Sequence, residues 1–246
     1  MGGAPGIRSL AAHALWLLAL AFGAAVARGE PATTGAAPET SAAVAGRVRV
    51  LARGLLGGLR EQEDHAGVLL YLTGFRSAPP DQPALLRQRD ERFEPRLLPI
   101  VAGQTVLFPN DDPIYHNVFS VAPLQPFDLG QYKSSEPPRS QVFAHPGLVS
   151  VYCNIHPKMI AYVAVLENAA FAETDPSGDF EIRGVPEGRV TLHAWTPGAT
   201  RVSRDLELRA GERAQVELEL QRVDREPPHS RKDGSPYPER GYRRWQ

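Results

Sequence analysis

The sequence has 246 residues, of which 42% are hydrophobic and 22% are charged, which is enough apolar material for one or two ordinary cores. Its 27 lysine and arginine residues nearly balance its 28 aspartate and glutamate residues, and no run of basic residues could follow a phosphate backbone. These features argue against nucleic acid as a partner.

The N-terminal residues predict export. Arg8 precedes an apolar stretch, Ala14–Ala27, that ends in the small-residue pattern Ala-Val-Ala. This pattern is typical of a secretory signal peptide, residues 1–27, with cleavage near Ala27. An uncleaved anchor is the alternative, although the stretch is shorter than the roughly 20 apolar residues that a membrane-spanning helix needs.

A flexible linker is predicted next, at residues 28–43, from its Gly, Pro, Ala and Thr content. No later segment is long and apolar enough to cross a bilayer, so we expect a mature chain without a transmembrane segment. The expected location is the periplasm or another compartment reached by export.

Strand-like segments follow in chain order. Residues 44–76 contain two β-branched, apolar segments, AGRVRVLARG and AGVLLYLTGF, separated by a polar stretch. Residues 84–167 and 168–221 give short apolar runs interrupted by Gly, Pro, Asn and Asp, which is the pattern of a β-sandwich. An all-β chain is therefore predicted. Residues 222–246 are rich in Pro, Arg and Gly without periodicity, and a disordered tail is predicted there.

Cys153 is the only cysteine, which is unusual because cysteines of exported proteins generally pair in disulfides. The alternatives are a small buried hydrophobe, an intermolecular disulfide, a nucleophile or a metal ligand. The neighbours of Cys153 favour a metal ligand, since His156 and Met159 follow it within one tight loop and His116 lies upstream at a strand end. A thiolate, two imidazoles and a distant thioether hold copper in a trigonal site with a weak axial ligand. Zinc is a weaker alternative because methionine is a poor zinc ligand.

The segment IYHNVFS, followed 37 positions after His116 by YCNIHPKM, resembles the blue-copper cupredoxins, the family of plastocyanin and amicyanin. The short Cys-x-x-His-Pro-x-Met loop is similar to the amicyanin version, and FEPRLLPIVAGQTVLFPNDD is similar to the family's early strands. The resemblance covers about Leu85–Leu166 and implies a Greek-key β-sandwich.

The resemblance also implies roles for individual residues. His116, Cys153 and His156 would be the strong equatorial ligands of one copper ion, and Met159 the long axial ligand. Asn117 would tie the two ligand loops together and donate a backbone hydrogen bond to the thiolate, which tunes the metal's potential.

The segments before and after residues 84–167 resemble a second family. TDPSGDFEIRGVPEGRVTLHAW is similar to the closing half of a carboxypeptidase-regulatory-like, or transthyretin-like, sandwich, and residues 44–76 are similar to its opening half. The order implies that residues 84–167 are inserted into a loop of one smaller sandwich, which is tolerated where loop ends lie close together. The alternative is a tandem order in which Gly46–Gly74 adds strands to the copper domain. No peptidase is implied, because the sequence has no His-x-x-Glu zinc pair.

The expected protein is an exported blue-copper carrier of single electrons. We do not expect an enzyme, because this ligand set leaves no position for a substrate. Redox proteins of unidentified kind are the expected partners of a monomer, and the amicyanin resemblance associates the layout with methylamine-utilisation-type proteins. Two alternatives remain: periplasmic copper storage or delivery through more open ligands, and an envelope carbohydrate- or protein-binding module with a secondary copper site.

Overall fold

The computed structural model describes residues 41–54, 57–223 and 229–237. The predicted signal peptide and most of the predicted linker lie outside these residues. Within them every regular element is a strand, so the all-β prediction is confirmed. No helix in the described part of the chain has the length and apolar character needed to cross a membrane.

The strands fall into three groups along the chain. The first group is β1 (Ala42–Arg53), β2 (Leu59–Glu61) and β3 (Leu69–Thr73). The second is β4 (Ala84–Leu85), β5 (Arg87–Arg89), β6 (Arg92–Glu94), β7 (Leu97–Val101), β8 (Thr105–Phe108), β9 (His116–Ser120), β10 (Phe127–Tyr132), β11 (Arg139–Val142), β12 (Gly147–Tyr152) and β13 (Ile160–Leu166). The third is β14 (Phe171–Glu173), β15 (Asp179–Val185), β16 (Gly188–Trp195), β17 (Val202–Leu208) and β18 (Arg213–Arg222).

One sandwich, called here the outer sandwich, combines strands of the first and third groups. β1 pairs antiparallel with β15 and parallel with β18, while β3 lies between β14 and β16 in the second sheet. Apolar side chains of both sheets form one buried core. Strands that the second group separates in sequence, β1 with β18 and β3 with β16, are thus hydrogen-bonded to each other.

The second group forms another sandwich, called here the inserted sandwich because its strands lie between the first and third groups in sequence. A five-stranded sheet, in the order β10-β9-β12-β13-β7, and a three-stranded sheet, β11-β8-β4, share a second buried core. β9 and β12 are antiparallel neighbours, so the start of β9 and the end of β12 lie at the same end of the sheet. That end carries His116, the first residue of β9, and the loop 153–159 that joins β12 to β13.

A small apolar cluster joins the two sandwiches. Leu69 of β3 is buried against Leu97 of β7 and Leu166 of β13. The rings of Tyr162 and Trp195 meet across this junction edge to face, with centroids 5.6 Å apart. The junction is therefore apolar, but it is much smaller than either core.

Candidate metal centre

Three of the four predicted ligands converge at the end of the inserted sandwich. The Nδ1 atoms of His116 and His156 lie 3.0 Å apart, and the Sγ of Cys153 lies 3.7 Å from the same Nδ1 of His156. His116 and Cys153 are 0% exposed and His156 is 8% exposed. The side chain of Met159 is also fully buried, in the same apolar core as Cys153. A thiol and two imidazoles thus face one another and are shielded from water, and Met159 belongs to the same buried core as Cys153.

The loop 153–159 is closed by its own backbone. The amide of Cys153 donates to the carbonyl of Met159 at 3.2 Å, and the amide of Met159 donates to the carbonyl of His156 at 3.1 Å. The amide of Ile155 donates to the Cys153 sulfur at 3.4 Å. These bonds fold the loop tightly, and the Cys153 and His156 side chains face the same cluster.

Asp112 is a site residue that sequence reasoning missed. Its Oδ2 lies 2.7 Å from the Nε2 of His116, which is the nitrogen that does not face His156. The backbone amides of Asp90 and Glu91, at the tip of the β5-β6 hairpin, donate to the same carboxylate at 2.8 and 3.0 Å. Histidines that bind metals commonly donate their second ring N–H to a carboxylate, which fixes the tautomer and the ring orientation.

The sequence carried a weak signal for this residue. Asp112 stands four positions before His116, but so close to Asp111 that the spacing alone cannot separate the two. Asp111 instead forms ion pairs with Arg87 and Arg89. Only the packed structure distinguishes the aspartate that holds His116 from the one that binds surface arginines.

Burial controls the ionisation of the site. Desolvation raises the pKa of the Cys153 thiol, although backbone N–H groups of Asn117, His156 and Ile155 favour its thiolate. Burial, and then the neighbouring His116, lower the pKa of His156. Burial alone would raise the pKa of Asp112, but its bonds with Glu91, His116 and Asp90 outweigh burial and leave that pKa lowered. These shifts favour the neutral form of His156 and the protonated thiol of Cys153, and a bound metal would displace the thiol proton.

Asn117 differs from the role that the resemblance implies. Its backbone amide does favour the Cys153 thiolate, but its side-chain Nδ2 donates to Asp128 Oδ1 at 2.8 Å and to the carbonyl of Gly130 at 2.9 Å, both on β10. Its Oδ1 is buried and has no hydrogen-bond partner among the described residues. The Asn117 side chain therefore does not itself tie the two ligand loops together, because its amide nitrogen donates to β10.

The prediction of a disordered tail is wrong for residues 229–237. Tyr237 Oη donates to the carbonyl of Cys153 at 2.5 Å, and the ring of His229 stacks on Tyr152 with centroids 4.3 Å apart. The backbone N–H of Lys232 donates to Asn154 Oδ1 at 2.9 Å. This segment lacks the periodicity of a helix or strand, and polar contacts with the ligand loop order it instead.

The residues present fit copper. The two facing Nδ1 atoms and the sulfur are donors of the kind that a trigonal Cys-His-His copper site uses, and Met159, buried in the same core as Cys153, would be the weak fourth donor. The second nitrogen of His116 is held by a carboxylate, as expected of a metal-binding imidazole. A structural zinc site would use stronger ligands than a thioether.

Comparisons with known proteins give structural likenesses only. Neither a known family profile nor a curated protein sequence matches this chain. A purple cupredoxin from Nitrosopumilus maritimus is 25% identical over 34% of this chain and 99% of its own, with a TM-score of 0.31. An amicyanin variant with Cu(I) is 21% identical over 39% of this chain and 98% of its own, with a TM-score of 0.33.

A copper-containing nitrite reductase from Thermus scotoductus is 26% identical over 39% of this chain and 24% of its own, with a TM-score of 0.34. All three likenesses cover less than half of the present chain. The residues of the site, rather than these partial likenesses, decide which metal it suits.

Proposed function

We propose that this protein is an exported blue-copper carrier of single electrons. One copper ion would be held by His116, Cys153 and His156, with Met159 as the weak axial ligand. The observation that supports this most is the buried cluster of two facing imidazoles and the lone thiol. Copper bound by such donors supplies a reversible one-electron change between Cu(II) and Cu(I).

The residues around the site would keep the ligands nearly fixed while copper changes between Cu(II) and Cu(I). His116 is held from behind by Asp112, and the loop 153–159 is closed by two backbone bonds, so the donors are oriented before any metal arrives. Burial excludes water from the thiolate side, and backbone amides around the sulfur stabilise its negative charge. A site with these properties suits electron transfer more than substrate chemistry, which is why we propose a carrier and not an enzyme.

Burial also separates this proposal from copper delivery. A protein that hands copper to a partner needs ligands that an incoming donor can reach, whereas His116, Cys153 and Met159 are each 0% exposed. The partners we propose are redox proteins that approach this end of the inserted sandwich. The proposal of export relies on the N-terminal sequence pattern alone.

The test is to load the purified protein with one equivalent of Cu(II) and record visible and electron paramagnetic resonance spectra. We expect an intense blue band from charge transfer between the Cys153 thiolate and copper. Cys153→Ser should abolish that band while the circular dichroism spectrum is kept, because only the sulfur donor is lost. Met159→Leu should keep the band and raise the reduction potential, because the axial bond is weak.

Two results would contradict the proposal. One is a pale, tetragonal Cu(II) spectrum from the wild-type protein, which would mean that the sulfur does not bind copper. The other is loss of copper to a chelator within the mixing time without reversible bleaching by a reductant, which would favour delivery.

A further inference from the structure

The two ligand-bearing elements share little direct strand pairing. β9, which begins with His116, and β12, which ends before Cys153, are in register at one residue pair, Tyr152 with Phe119. The resemblance implies that Asn117 ties the loops together, but its side chain donates to β10 instead. Apart from the contact of the Asn117 backbone amide with the Cys153 sulfur, little direct bonding joins the two elements, so contacts from another segment would add to their relative fixing.

Residues 229–237 supply a connection between them. The Nζ of Lys232 pairs with Asp128 Oδ2 at 2.6 Å, and the other oxygen of Asp128 accepts from Asn117, the neighbour of His116. The backbone N–H of the same lysine donates to Asn154 Oδ1, next to Cys153. One residue of the C-terminal segment thus touches partners that reach both ligand-bearing elements.

A second set of contacts secures the ligand loop. Tyr237 Oη donates to the carbonyl of Cys153 itself, and the same hydroxyl lies 3.0 Å from His229 Nε2. His229 in turn stacks on Tyr152, with ring planes 22° apart. The segment therefore contacts three consecutive residues, Tyr152 at the end of β12 and Cys153 and Asn154 at the start of the loop.

We infer that residues 229–237 are a bridge that positions the metal ligands by joining β9, through Asp128 and Asn117, to the loop 153–159. This inference deepens the proposed function and depends on it for its role in electron transfer. Lys232 and Tyr237 are its positioning residues, and neither is a metal ligand. Without the bridge, the loop would sample open positions in which the Cys153 sulfur leaves the two imidazoles.

Four variants test the two halves of the bridge. Lys232→Met keeps the aliphatic stem and the backbone N–H but removes the ion pair with Asp128. Lys232→Arg keeps that pair and should rescue the loss. Tyr237→Phe removes only the hydroxyl that bonds to Cys153, and Tyr71→Phe is its matched control, because it removes a hydroxyl in the outer sandwich that accepts a bond from Arg201 at 3.4 Å.

The first measurement is hydrogen–deuterium exchange of the metal-free protein over residues 152–159. We expect Tyr237→Phe to speed exchange about three- to tenfold, as loss of a hydrogen bond does. Lys232→Met should speed it less, by up to about fivefold, because the ion pair with Asp128 is partly exposed. The double variant should exceed either single one. Lys232→Arg and Tyr71→Phe should match the wild type within twofold, a margin below the loss of one such bond.

The second measurement is the reduction potential and the rate of copper loss to a chelator in the loaded protein. A bridge that positions the ligands should shift the potential and speed the loss in the double variant, and the arginine variant should restore both. A merely structural tail would leave the potential unchanged.

The inference is overturned if the double variant, and a chain that ends at Val223, exchange over residues 152–159 at the wild-type rate. Because this readout uses metal-free protein, it stands whether or not copper binds. A wild-type protein that fails to turn blue would instead refute the proposed function and leave the exchange result intact.

Discussion

At the scale of single residues, one sulfur and one carboxylate define the character of the centre. Cys153 lies among apolar side chains, where desolvation favours the protonated thiol, and three backbone N–H groups partly offset this by favouring the thiolate. Asp112 acts through His116. Its carboxylate accepts a charge-assisted hydrogen bond from the Nε2–H of that ring, which makes the ring a stronger electron donor to a metal. The Cys153 sulfur and the Asp112 carboxylate together would set how tightly the site holds Cu(II).

Asp112→Asn should weaken copper binding and raise the reduction potential. An amide keeps the size of the side chain but replaces a charge-assisted bond to His116 with a weaker neutral one, and it removes negative charge that stabilises Cu(II). A loss of about 10- to 100-fold in metal affinity is typical when such a partner is removed. Competition titration against a chelator of known affinity measures it.

The matched control is Asp111→Asn. This neighbouring carboxylate pairs with Arg87 and Arg89 at the surface and makes no contact with His116 among its described bonds. The affinity for copper should stay within about twofold of wild type, since exposed ion pairs contribute little. Equal losses in both variants would show that general charge near the site, and not the bond to His116, controls the affinity.

At the scale of elements, contacts between residues close in sequence could be predicted, and contacts between distant residues could not. The loop 153–159 could be interpreted from sequence because its three candidate ligands stand within seven residues of one another, where spacing restricts geometry. The bridge could not, because Lys232 and Tyr237 meet Asn154 and Cys153 across 78 and 84 residues. They lie in residues 222–246, which are rich in Pro, Arg and Gly without periodicity, so composition alone predicted disorder.

The outer sandwich shows the same contrast. Alternating apolar residues predicted its strands, but the parallel pairing of β1 with β18 joins segments separated by most of the chain. The close approach of these two strands depends on Gly46, where a Cβ would lie 1.7 Å from the carbonyl oxygen of Val216. A side chain there cannot be accommodated without moving the backbone of one strand.

Gly46→Ala should therefore destabilise the outer sandwich. Overpacking of a buried site typically lowers the free energy of unfolding by about 1–3 kcal/mol, and a backbone neighbour that cannot rotate away puts this site at the upper end. Denaturant titration of the metal-free protein measures the change. Gly58→Ala is the control, because nothing lies within 4 Å of its added Cβ and its loss of stability should be below about 0.5 kcal/mol.

Copper binding provides a second readout for the same pair of variants. The ligands belong to the inserted sandwich, whose core is separate from the one that contains Gly46, so Gly46→Ala should keep the blue band. A variant that loses colour at temperatures where its inserted sandwich is still folded would mean that the strain reaches the metal centre.

At the scale of the whole molecule, two cores meet at a small junction. The core of the outer sandwich is built from the first and third groups of strands, and that of the inserted sandwich from the second group alone. The junction adds four buried residues, Leu69, Leu97, Ala164 and Leu166, with the Tyr162 and Trp195 rings at its margin. A contact of this size is small beside either core, so the two sandwiches should unfold as separate cooperative units.

Calorimetry of the full chain should therefore show two transitions, and copper should move only one of them. A ligand that binds only the folded form stabilises the unit that holds it, by about 2.7 kcal/mol at a free concentration one hundred times the dissociation constant. The transition of the inserted sandwich should rise on loading with Cu(II), while that of the outer sandwich should stay in place, and Gly46→Ala should lower only the latter. If instead a single transition moves as a whole with both copper and the Gly46 substitution, the junction couples the sandwiches into one folding unit. In that case the first and third groups of strands, which build the outer sandwich, would contribute directly to the stability of the metal centre.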